Sequence, residues 1–177
     1  MTRSPSPTLP RTLPRRRLLA GPLGARALPH PAWGAAAREI TWNDLIPPGL
    51  PYGEIIGEGE IDLDADTWLP VFDENGMALN EALAGQRIKL PGFIVPLELS
   101  SAGVTVFLLV PYVGACIHVP PPPPNQLVLV TTEHPWPSDD LWDPVWATGR
   151  LDTSLQTTEI AAAGYALTAE HLEAYEW

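Results

Sequence analysis

The chain has 177 residues, 45% of them hydrophobic and 18% charged, with ten Lys and Arg against 21 Asp and Glu for a net charge of −11. That length fits one domain, and the negative balance excludes the cationic footprint that binding a nucleic-acid backbone requires. The charge is also uneven. Positions 1–38 hold seven arginines (Arg3, Arg11, Arg15, Arg16, Arg17, Arg26 and Arg38) and no acid, whereas the rest holds Arg87, Lys89 and Arg150 against all 21 acids. A basic, acid-free head on an acidic body has the layout of a targeting segment joined to an exported domain.

The head, residues 1–37, reads in signal-peptide order. Arg11 to Arg17 forms a positive region, Leu18 to Trp33 is broadly apolar, and Ala35-Ala36-Ala37 offers a cleavage site before Arg38. Arg15-Arg16-Arg17-Leu18-Leu19 also matches a twin-arginine export signal. Pro22, Arg26, Pro29, His30 and Pro31 interrupt the apolar stretch, so a disordered Pro/Arg-rich tail is the competing reading. No stretch approaches the roughly 18 apolar residues of a membrane helix. Cys116 is the sole cysteine, which rules out an intramolecular disulfide and leaves the head without a lipid-acceptor cysteine. The expectation is an exported, periplasmic, soluble protein with no transmembrane segment, whose residues 38–177 form a single domain.

Along the body, Thr41 is placed to cap a short helical turn carrying Trp42 and Leu45, which Pro47-Pro48 ends. Residues 57–66 alternate acids with small or apolar residues. Residues 73–84 read as a turn and a short helix with Gly85 at its C-terminal end. Strand patterns follow over 87–90 and 92–99, where Pro91 and Pro96 require an edge, a bulge or a bend. Val104 to Val110 reads as a central strand, and 126–132 and 145–151 as two more, the last with a bulge at Gly149. Gly164 to Leu167 reads as a final strand before a helix over 168–175 capped by Thr168. Short strands of mixed periodicity with helices beside them predict a mainly β fold, a small closed or partly closed barrel with short flanking helices.

The most specific feature is PYVGACIHVPPPPPNQ, residues 111–126. Prolines 120–124 favour a stiff rod of about 3.1 Å per residue. Val119 is held extended by the proline after it, so Cys116 and His118, two apart, share one face of a strand. Thiolate and imidazole together suit zinc or copper(I), with His134, His171 or Glu133 needed to complete a site. Two other readings stand beside this one: Cys116 as a small buried hydrophobe with His118 hydrogen-bonded, and Cys116 as a thiol nucleophile with His118 as base. The segment Pro120, Pro121, Pro122, Pro123, Pro124, Asn125 and Gln126 is either a ligand for an aromatic groove on a partner or a rigid connector between strands.

The string GACIHVPPPPPNQ, with LPGFIVPLEL, VFLLVPYVGACIH, PVWATGRL and AGYALTAEHLEAY, resembles a bacterial family catalogued as domain of unknown function 3299, over about residues 40–175. The resemblance implies an exported protein of the bacterial envelope with an OB-like β-barrel. It also implies an association with ABC-type transporter components and metal-responsive genes. Some members are lipoproteins, from which this chain departs by lacking the anchor cysteine. OB-like barrels that bind nucleic acid do so with basic grooves, and this body is acidic.

Asp62-Leu63-Asp64-Ala65-Asp66 begins like a calcium loop, but Thr67 stands where glycine is required, so a looser cation contact or a solvated strand face is expected instead. Trp136, Trp142 and Trp146 lie among prolines and acids. They read either as a binding platform or as plugs for the barrel, with plugging favoured. No phosphate-cradling loop, G-x-S-x-G elbow or H-E-x-x-H motif is present. The functional expectation is a non-enzymatic accessory or binding protein of the envelope. Cys116, His118 and His134 are its candidate metal ligands, and the proline run with Trp136 and Trp142 its candidate docking surface.

Overall fold

The computed structural model describes residues 36–62, 67–115, 121–137, 141–158 and 160–176. The expected signal peptide, apart from Ala36 and Ala37, lies outside the described residues, as do Cys116, His118 and Pro120.

Among the described residues there are eight strands: β1 (Arg38–Glu39), β2 (Ile55–Asp62), β3 (Thr67–Phe72), β4 (Arg87–Ser100), β5 (Gly103–Val110), β6 (Val128–Trp136), β7 (Pro144–Thr157) and β8 (Ala162–Ala174). Strands β4 to β8 close into a five-stranded barrel in the order β4-β5-β6-β8-β7, with β7 returning to β4. β6 and β8 run parallel, and the other barrel pairs are antiparallel. This is the expected OB-like barrel. β1 adds in parallel to β4, while β2 and β3 form a separate antiparallel hairpin.

Closure depends on β4 serving two partners. Arg87 to Phe93 pairs with β7, and Phe93 to Ser100 pairs with β5. The exchange falls at Phe93, directly after Gly92, where a Cβ would stand 2.8 Å from Leu109 Cγ and from the Val110 carbonyl oxygen, so the crowded corner takes only glycine. Pro91 and Pro96 sit in this bent strand, with a register shift directly after Pro96. The bulge expected at Gly149 is present as a register shift between Thr148 and Gly149.

Both faces of β4 and β5 are buried, which explains the unbroken apolar run VFLLV. Ile88, Leu90, Ile94, Phe107 and Leu109 join the main core with Leu45, Val128 and Tyr165. Phe93, Val95, Leu108 and Val110 face the other way into a second cluster with Ala115, Leu127, Ala161 and Ala163.

Two local expectations are corrected. The helix expected over 168–175 is the second half of β8, an unbroken strand from Ala162 to Ala174. Tyr165, Leu167 and Ala169 are buried while Thr168 and Glu170 are exposed, so the period is two. Pairing with β7 out to Ala174 overrides the helix-forming residues Ala169, Glu170 and Leu172. The helix expected over 73–84 is split into α1 (Glu74–Met77) and a 3-10 turn over Glu81–Leu83. Asp73 caps α1 by accepting the Gly76 N–H at 3.0 Å. Asn80 breaks the run because its side chain donates to the Asp44 carbonyl at 2.8 Å. No helix among the described residues is long and apolar enough to cross a membrane.

Candidate functional site

The proline box folds inward. Pro121 to Gln126 are buried. Pro123 is extended at φ −62°, ψ 157°, and Pro124–Gln126 form one 3-10 turn with proline at its start. Prolines have no N–H to satisfy, and the carbonyls of Pro123 and Pro124 accept the N–H groups of Gln126 (2.8 Å) and Leu127 (3.2 Å). The two amides that follow tie the box to the chain before the barrel. Asn125 Nδ2 donates to the carbonyls of Asn75 (2.8 Å) and Ala78 (3.1 Å), and Gln126 Nε2 donates to those of Trp42 (3.0 Å) and Asn125 (2.9 Å). Asn125 Oδ1 is buried with no donor among the described residues. Gly76 fits against Pro123, where a Cβ would come within 2.9 Å of the proline Cβ, and Gly53 packs on Gly76 at backbone contact.

Tyr165 anchors the same region from the barrel side. Its hydroxyl donates to the Leu45 carbonyl at 2.5 Å and accepts the Asn80 N–H at 2.7 Å. Burial pushes its phenol up to about 12, with the nearby Glu81 adding to the shift and the Asn80 N–H opposing it.

Outside this keystone lies a groove of about 390 Å³. Leu69 to Phe72 of β3 and Met77 form one wall, Thr157, Thr158, Ala161 and Ala162 the other, and Pro121, Pro122 and Leu127 the floor. Leu127 and Ala161 also belong to the second core cluster, so the groove floor continues into the packed interior. Thr158 Oγ1 is occupied, donating to the Ala161 carbonyl at 2.7 Å and accepting the Ala161 N–H at 3.0 Å. The described lining holds no carboxylate, imidazole, thiol or amine. What it offers is apolar contact. Beside it the exposed Ile55, Ile56 and Val71 of the hairpin extend the apolar surface. The Tyr52 phenol is pushed up to about 12 by burial and by neighbouring Tyr112.

His134 is exposed on β6, in an irregular stretch where its N–H donates to Thr132 Oγ1 at 3.3 Å. His171 is exposed on β8, with Nε2 3.7 Å from Glu173. Among the described residues no three His, Cys, Asp or Glu side chains gather into a metal-holding group. Trp136 packs on the main core and donates to Asp143 at 3.3 Å. Trp142, at φ 73°, packs on the second cluster, and Trp146 meets Tyr175 edge-on beneath Lys89. The three tryptophans therefore make different contacts.

The sequence reading passed over Leu69, Val71, Met77 and Ala162. The available signal was the apolar stretch TWLPVF directly after an acidic run, but the groove itself joins three segments distant in sequence.

The family match settles the relationship. A model of the family described as "Protein of unknown function (DUF3299)" matches residues 42–174. The chain belongs to the DUF3299 family. It is similar to a DUF3299 family protein from Pseudomonas aeruginosa PAO1, solved as a crystal structure at 2.45 Å. The two are 42% identical with a TM-score of 0.67, over 80% of this chain and 98% of the other. Among curated proteins, none matches. Within this DUF3299 chain, the keystone of Pro121–Gln126 and the groove beside it fall inside the matched residues.

Proposed function

We propose that this DUF3299 chain is an exported, periplasmic, non-enzymatic accessory or binding protein of the bacterial envelope. In this reading residues 1–37 are removed as a signal peptide, and residues 38–177 bind a ligand or partner through the apolar groove. The observation that carries the reading is the groove of about 390 Å³ floored by buried prolines, whose described lining offers apolar contact and no titratable group. A preformed concave apolar site is the ordinary setting for binding. Nucleic acid is disfavoured because each cation of the body is engaged: Arg38 with Asp44, Arg87 with Glu170, Lys89 with Glu173, and Arg150 with the Gly85 carbonyl. The neutral apolar dye Nile red should bind the full chain, and Ala162→Phe, which fills the groove, should abolish its fluorescence gain without changing the melting temperature. Undiminished dye binding by A162F would remove the reading.

A second reading keeps Cys116 and His118 as ligands for zinc or copper(I), serving an ABC-type transporter. It is carried by the two-residue spacing of thiol and imidazole in ACIHVP. Metal titration followed by native mass spectrometry tests it. Equal binding by the parent, Cys116→Ser and His118→Ala would end it.

A further inference from the structure

The β2–β3 hairpin pairs only with itself among the described residues, and an isolated two-stranded sheet is marginal in water. Yet it exposes Ile56 (66%) and Val71 (49%), with Met77 (45%) beside the groove. Exposed apolar side chains at the rim of an apolar groove point to a contact site. The same region has a single sign of charge. Glu54, Glu58, Glu60 and Asp62 are exposed on or beside β2. The segments that build the groove and its surroundings, 51–86, 111–127 and 151–177, contain no Lys or Arg. Paired strands lie about 4.8 Å apart, so the β2 carboxylates stand one strand from the groove wall at Leu69 and Val71, which register with Glu60 and Gly57.

We propose that the groove receives an apolar side chain from a cationic, extended segment of a partner protein, whose basic residues pair with Glu58 and Glu60. This deepens the groove reading above and rests on it. Charge complementarity selects the occupant. A second copy on a twofold axis would set this acidic patch against itself, in a chain of net charge −11. An anionic lipid surface would be repelled in the same way. Opposite charge draws a basic segment in, and the apolar anchor supplies specificity.

The test uses the full chain and fluorescein-labelled nine-residue peptides, alternating Lys-Leu, Glu-Leu or Lys-Ser, read by fluorescence anisotropy. The Lys-Leu peptide should bind about tenfold or more tighter than either control, as one buried apolar anchor and its charge partners warrant. Glu58→Lys with Glu60→Lys, and separately Val71→Ser, should each weaken it by about tenfold while circular dichroism stays unchanged. If Nile red binding responds to V71S but Lys-Leu and Glu-Leu bind alike, the cationic partner is refuted and the groove reading stands. If neither dye nor peptide responds to V71S, both fail. Concentration-dependent dimerisation abolished by V71S would make a second copy the occupant. V71S-sensitive binding to phosphatidylglycerol vesicles would make it lipid. Either result overturns the proposal.

Discussion

The hydroxyl of Tyr165, on β8, donates to the carbonyl of Leu45, 120 residues earlier, at 2.5 Å, and both residues are fully buried. The same oxygen accepts the Asn80 N–H, so one phenol joins two segments of the N-terminal region to the barrel that the proline box also holds. Tyr165→Phe keeps the ring but leaves a buried carbonyl and an N–H without their partner. The expected loss is about 2 kcal/mol, a fall in Tm of roughly 4–8 °C for a domain of this size. Differential scanning calorimetry checks it, and a shift below one degree would show that the bond carries little.

Alkaline pH should act through the same group. The Tyr165 and Tyr52 phenols are raised from 10.0 to about 12 in the folded chain, so between those values the folded state holds protons that the unfolded state has released. Their contribution to stability is present in full below pH 10 and is lost as pH rises toward 12. Tm measured from pH 8 to 12 should fall across that window, and less steeply in Y165F. An equal slope in both proteins would contradict the assignment.

At the acid end the sign reverses. The N–H and hydroxyl of Thr41 hold Asp44 below its usual range, the Gly76 N–H does so for Asp73, and Lys89 does so for Glu173. A depressed carboxylate stabilises the fold above its unfolded pKa, and that contribution is lost as pH falls through the folded value. Tm should therefore decline below about pH 4, and Asp73→Asn should shrink the decline. Identical acid slopes for parent and D73N would rule out the Asp73 cap as a contributor.

The close packing at the proline box predicts contrasting glycine substitutions. A Cβ at Gly53 would lie 2.3 Å from Gly76 Cα, a backbone atom, whereas one at Gly57 would make ordinary contact with Val71 Cβ at 3.4 Å. Gly53→Ala should destabilise by about 1–3 kcal/mol through overpacking, and Gly57→Ala by much less. Chemical denaturation of both variants checks the contrast. Equal midpoints would mean that Gly53 does not need its close approach.

Much of the barrel was legible because its strands carry local signatures: the apolar run Val104–Val110, the alternation in Arg87–Leu90, and the bulge glycine Gly149. The closing contact was not, because β4 changes partner at Phe93, next to Gly92, and Gly92 is crowded by Leu109 and Val110 of another strand. Thr168–Tyr175 misled because its residues favour helix while pairing with β7 holds them extended. The prolines announced the site, but their burial depends on Gly53 and Gly76, about 70 and 50 residues earlier. The groove wall at Leu69 and Val71 belongs to a hairpin whose acidic strand reads by itself as a solvated face.

Amide NMR of the isotope-labelled full chain titrated with Nile red tests the central claim most directly. The account predicts shift changes concentrated at Leu69, Val71, Met77, Leu127, Thr157 and Ala162, with His134, Trp136 and Trp142 unmoved. Changes centred on His134 to Trp142, or none at the groove under saturating dye, would contradict it.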